Sequence, residues 1–148
     1  MSTENAPLGS ITLLKMIPSQ YLSTFTRTRT RCSLTLREGA SWIELRARDI
    51  DISITGKDSD AGLIYNVSGS FRCPKTSGQS LGILEVYGRD MMLLCETASE
   101  DIYIVGTPHC PLTIVESLVT PSVMASFSGY SCSVSGSQMH PQLLLVTP

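Results

Sequence analysis

Charge is scarce in this sequence: Asp, Glu, Lys and Arg make up only 16% of its 148 residues, against about 25% in ordinary soluble domains. Apolar residues, at 42%, are close to the usual share, so the deficit falls on the surface. Serine and threonine, 35 together, take up the difference, and they suit pleated strands and turns better than helix interiors. Such a surface can be sealed against a second copy at little desolvation cost, because few ions leave water. A basic excess is also missing. With a net charge of −2 the chain is not built to neutralise phosphates, which argues against nucleic acid as a partner. No run of 18 apolar residues occurs, and Met1 to Leu8 lacks the basic start and apolar stretch of a signal peptide. Neither a membrane partner nor secretion by a signal peptide is expected.

Five cysteines (Cys32, Cys73, Cys95, Cys110, Cys132) are an odd number at wide spacing, which fits neither a disulfide framework nor a CxxC pair. Buried reduced thiols are the simplest reading. Only two histidines exist, His109 and His140, each beside a proline in an apparent surface loop, and neither has an obvious nucleophile to serve. Cys95, His109, Cys110 and Cys132 lack the close ligand pairs of structural zinc. Gly129 to Ser133 begins like a nucleophile elbow but lacks its closing glycine, and reads better as a strand. Gly56-Lys57 is followed by Asp58 where a phosphate loop needs Ser or Thr. Asp58, Asp60 and Gly62 open like a calcium loop, but Gly69 stands where the bidentate Glu belongs. No cofactor, metal or small-molecule substrate is expected.

What the chain does have is alternation. Cys32, Leu34 and Leu36 share one face of a strand whose other face carries Arg27, Arg29 and Arg31. This basic row reads either as charge protecting an edge strand or as a contact to acids such as Asp49 and Asp51 on a neighbouring subunit. Ile43, Leu45 and Ala47 point inward on odd numbers, Ile50, Ile52 and Ile54 on even ones, so a bulge or tight turn belongs near Arg48-Asp49. A polar loop over Gly56 to Gly62 leads to a long strand with Leu63, Tyr65, Val67, Phe71 and Cys73 on one face, closed by Pro74. Leu81, Leu84 and Tyr87 recur at three-residue steps between a capping Ser77 and a stopping Gly88, which predicts one short helix over 77–88. Met91 to Glu96 and Ile102 to Val105 read as a hairpin of core strands, followed by strands near 112–119, 123–135 and 142–146.

About nine strands, one helix and no internal repeat predict a mainly β fold, a single β-sandwich or partly closed barrel. Residues 9–148 are expected to form one domain behind a flexible tail over 1–8. The polar stretch 18–30 reads either as strand or as a loop or arm that orders on assembly.

The order of segments from Ile50 to Leu145 resembles small virion structural proteins from the tail or neck region of tailed phages and prophages. The resemblance lies in an acidic, Gly-containing loop leading into Asp60-Ala61-Gly62-Leu63-Ile64-Tyr65, a long strand ending at Cys73-Pro74-Lys75, and a short helix. After these come the Met91 to Glu96 strand, Asp101 to Gly106, Pro111 to Ile114, and Gly129-Tyr130 through to Pro141-Gln142-Leu143-Leu144-Leu145. It departs at Thr97 to Asp101, a hairpin turn without glycine. The resemblance implies a non-enzymatic subunit that packs with copies of itself and other virion proteins into rings or tubes, made in a host cytoplasm and ending in a virion. Subunit contacts would fall on Arg27, Arg29, Arg31, Asp58, Asp60 and Gly62. The competing expectation is a monomeric β-sandwich that binds a glycan or peptide through loops carrying Trp42, Tyr65, Tyr103 or Tyr130.

Overall fold

The computed structural model describes residues 5–7, 11–60, 62–74, 78–119 and 129–146. Its strands are β1 (Asn5–Pro7), β2 (Ile11–Pro18), β3 (Leu22–Arg27), β4 (Arg31–Leu36), β5 (Ile43–Leu45), β6 (Arg48–Ser59), β7 (Gly62–Pro74), β8 (Met91–Thr97), β9 (Ile102–Val105), β10 (Thr113–Val119), β11 (Gly129–Gln138) and β12 (Leu143–Leu145). They make two sheets, one of five strands in the order β1-β6-β7-β11-β10 and one of seven in the order β3-β4-β12-β9-β8-β2-β5. Every pairing is antiparallel except β12 with β4. The fold is the expected mainly β sandwich, and no sheet closes into a barrel.

The five-stranded sheet follows period-2 burial. Val67, Phe71 and Cys73 of β7 and Cys132 and Val134 of β11 face the core, while Ser133 and Ser135 face water. The seven-stranded sheet behaves differently, because both of its faces are apolar. Met91, Leu93 and Cys95 of β8 join the inter-sheet core with Leu14 and Met16 of β2. The alternate residues Met92 and Leu94 join Ile17, Leu22, Cys32, Ile104 and Leu143 in an outer cluster. A strand buried on both faces reads as a continuous apolar run, and Met91 to Cys95 is one.

The outer cluster is contained because this sheet curls. β2 and β3 stand five places apart, about 24 Å across a flat sheet. Only one 3-10 turn, Ser19–Tyr21, links them, and four Cα steps reach at most about 15 Å. The sheet must therefore bend until its two sides approach. Arg37 N–H donates to the Tyr21 carbonyl at 2.8 Å, and Phe25 of β3 and Trp42 just before β5 pack on the same cluster from opposite sides.

Several expectations change here. Residues 18–30 hold the 3-10 turn, β3 and a tight turn, so this stretch is sheet rather than arm. The expected tail contributes β1, paired from Asn5↔Thr55 to Pro7↔Ser53, and its other residues lie outside the described set. The predicted helix is present as two four-residue turns, α1 (Gly78–Leu81) and α2 (Leu84–Tyr87), with Leu81 and Leu84 buried. Its expected cap, Ser77, lies outside the described residues. Gly88 is required by crowding rather than by a left-handed stop, since its φ is −55° and a Cβ there would lie 2.5 Å from the Leu84 carbonyl oxygen. The predicted bulge is at Arg48–Asp51, with Asp49 at φ 51°. It presses on β7, where a Cβ on Gly69 would come within 2.3 Å of the Asp51 carbonyl oxygen.

Candidate functional site

The three arginines are not a row along one strand. Arg27 ends β3, Arg29 lies in the turn and Arg31 starts β4. The chain reverses there, with Thr28 N–H donating to the Arg31 carbonyl at 2.8 Å and Arg31 N–H donating to Thr28 Oγ1 at 3.2 Å. An edge row thus becomes a basic hairpin tip whose arginines are all exposed. Behind the tip, hydroxyls bridge the two strands, Thr26 to Ser33 at 2.7 Å and Ser23 to Thr35 at 2.7 Å. This ladder is where part of the serine and threonine excess is placed.

Asp58, Asp60 and Gly62 sit at the end of a second hairpin. The expected seven-residue loop is mostly strand, because β6 pairs with β7 out to Ser59↔Gly62 and leaves a two-residue turn. Polar residues fit there because residues 57–64 pair in register only with each other among the described strands. They form a two-stranded ribbon beyond the sheet, where both faces meet water. Lys57, Asp58 and Asp60 are exposed on it, and Gly62 adopts φ +109°. Among the described residues neither these aspartates nor the tip arginines form an ion pair. Asp49, expected as an acid for a neighbour's arginines, instead lies 3.9 Å from Arg72 in its own chain. That pair is largely exposed and contributes little.

The basic tip and the base of the acidic ribbon meet the turn that follows β11. Between them lies a concavity of about 400 Å³ lined by Arg27, Arg29, Leu63, Tyr65, Met139 and His140. Its floor is tightly held. Gln138, 1% exposed, accepts from Gly106 N–H at 3.0 Å and donates to the His140 carbonyl at 2.9 Å. His140 was expected on the surface, but it is 4% exposed. Its Nδ1 lies 2.7 Å from the Pro141 carbonyl oxygen, which can only accept, so Nδ1 carries the proton. Its Nε2 is buried without a partner among the described residues. Burial holds the ring below the ordinary histidine range, the bond to Pro141 opposes this, and the positive charge of Arg27 adds to the lowering. Sequence pattern missed this residue because its burial comes from three separate segments.

The other candidates disperse. Cys73, Cys95 and Cys132 lie in the inter-sheet core, Cys32 lies in the outer cluster and Cys110 is half-buried; all are free thiols. Burial pushes Cys32 up to about 11 and Cys95 up to about 12. Cys73 is lowered by a hydrogen bond from Cys132, whose own thiol is raised by the same contact. His109 lines a different concavity with Arg37, Phe25 and Pro108, and neither Cys95 nor Cys110 lines it with them. Among the described residues no three His, Cys, Asp or Glu side chains are grouped to hold a metal, and no helix is long and apolar enough to cross a membrane. Of the aromatics considered for ligand binding, Trp42, Tyr65 and Tyr130 pack against the clusters, and Tyr65 also lines the concavity. Comparison with family models, with curated proteins and with solved structures finds no match.

Proposed function

We propose that this chain is a non-enzymatic structural subunit that assembles with copies of itself, as its resemblance to phage tail and neck virion proteins implies. One observation carries the reading: an acidic two-stranded ribbon and a basic hairpin tip stand side by side, each without an ion partner among the described residues. A two-stranded ribbon is marginal alone and presents backbone groups on both edges, so a neighbouring strand or tip is its natural cover. Opposite charges on adjacent projections make the surface complementary to itself, which is what an isologous contact needs. Among the described residues β3 ends the seven-stranded sheet and extends the surface open to a neighbour. The charge-poor surface lowers the desolvation cost of such contacts.

Rings, tubes or discrete oligomers in electron micrographs of the purified chain are the expected result. Replacing Arg27, Arg29 and Arg31 together by Glu should lower the solution mass and leave the circular-dichroism spectrum unchanged. If assembly persists unaltered in that variant, the tips are not the contact.

A monomeric binding module is the second reading, favoured only by the concavity beside Tyr65.

A further inference from the structure

We infer that the concavity between the β3–β4 tip, the base of the β6–β7 ribbon and the turn at 139–141 is a binding site for a single oxyanion group, sulfate, phosphate or carboxylate. Arg27 and Arg29 supply the charge, and both come from one tight turn held by the Thr28–Arg31 bonds, so they are presented together. Guanidinium groups are the side chains best shaped to bind such oxygens. No carboxylate lines the concavity among the described residues, so neither arginine has a counter-ion within it. Part of the wall is apolar, formed by Leu63, 37% exposed, and Met139, 54% exposed.

The floor adds a second, independent sign. His140 is 4% exposed, and its buried Nε2 has no partner among the described residues. An unpaired buried acceptor is costly, and Gln138 holds the backbone of the turn through the His140 carbonyl. An oxyanion between the guanidinium groups would cancel the Arg27 charge that acts on this ring. With that charge cancelled, the ring would take up a proton more readily, although burial still opposes it. Binding therefore couples to protonation, with the affinity rising as pH falls. The charged and titratable groups lining the site with His140 are Arg27 and Arg29 from the hairpin and Tyr65 from β7.

The inference does not depend on the assembly reading. Its natural ligand is either a free anion or a carboxylate of a second copy, such as Asp58 or Asp60 of the ribbon.

The test is a titration of the full chain with sodium sulfate at constant ionic strength, following the His140 ring and arginine Nε signals by NMR. Sulfate is chosen because its charge does not change near neutral pH. Saturable shifts at His140 and Arg27 are expected. In Arg27→Gln/Arg29→Gln the affinity should fall at least about tenfold, since each bond to a charged group contributes about 1.5–3 kcal/mol. Both arginines are exposed, so this variant keeps the fold. The affinity should also rise between about pH 7.5 and about pH 5.5, across the ordinary histidine range. No saturable shift, or the same shift in the double variant, would overturn the site; an affinity independent of pH would remove His140 from it. Light scattering on the same samples separates the sources: mass lost on adding sulfate, and equally lost in Asp58→Asn/Asp60→Asn, identifies a second copy's carboxylate, and unchanged mass identifies a free anion. A monomer that binds sulfate would sink the assembly reading and leave this one standing.

Discussion

The inter-sheet core and the outer cluster share β2, β8 and β9, whose residues divide between them, yet they are closed in different ways. Between the sheets, Phe71, Leu14, Met16, Leu93 and Ile114 are covered by a second layer and reach 2% exposure or less. On the outer face, Ile17, Met92, Ile104 and Leu143 are equally buried, but their cover is the sheet's own curled sides, and Phe25, Leu34, Leu36 and Trp42 are only partly buried. Curling thus substitutes for a third layer. The consequence is that the strands at the sides of the seven-stranded sheet both seal a core and face the surroundings. The basic tip stands on one of them.

Truncation is the strongest way to test that difference. Phe71→Ala should cost about 3–5 kcal/mol, as for other fully buried aromatics, whereas Phe25→Ala should cost about 1–2 kcal/mol because its ring is only half-covered. Chemical denaturation of both variants checks this, and equal losses would mean that the outer cluster is a full core.

Alkaline titration sharpens the contrast through one buried thiol in each region. Cys95 in the core is pushed up to about 12 and Cys32 in the outer cluster up to about 11. A folded-state value above the unfolded one leaves stability intact below the ordinary thiol value of 9.0 and removes it as pH rises toward the folded value. The Cys95 part is at most about 4 kcal/mol. Cys95→Ala starts less stable but should lose less between about pH 9 and about pH 12; a parallel loss would place the alkaline sensitivity elsewhere.

Backbone demands give smaller effects. Gly106 follows β9 at φ +87°, and a Cβ there would lie 2.9 Å from Leu112 Cγ in the inter-sheet core. Gly106→Ala should cost about 1–3 kcal/mol, read from the thermal midpoint. At the other end of the same strand, Glu100 holds φ 70° in the β8–β9 turn. Glu100→Gly should stabilise the protein by about 1 kcal/mol, because glycine carries no penalty in the left-handed region. No gain in thermal midpoint would show that the side chain is not strained there.

The legible parts of the chain were those where local pattern and tertiary environment agree. β7 alternates and is half-buried, the phase slip at Arg48-Asp49 is a bulge, and the continuous apolar run Met91 to Cys95 is buried on both faces. The β3–β4 hairpin was hidden because the Thr-Arg alternation runs straight through its turn without glycine, proline or asparagine. β2 went unread although it pairs with both β8 and β5, since its apolar positions 13, 14, 16 and 17 fit helical spacing as well as strand. Of the candidate site, the charged residues were named from sequence, but their grouping into opposed tips and the burial of His140 arise from contacts between distant segments. No local signal encodes such contacts.

The account rests on the two oppositely charged tips forming a surface that a second copy completes. Light scattering across a concentration series, run at low and high salt on the 16.0 kDa chain, tests this most directly. The account predicts a mass above the monomer that grows with concentration and falls as salt screens the tips. A mass of one chain at every concentration and salt would contradict it.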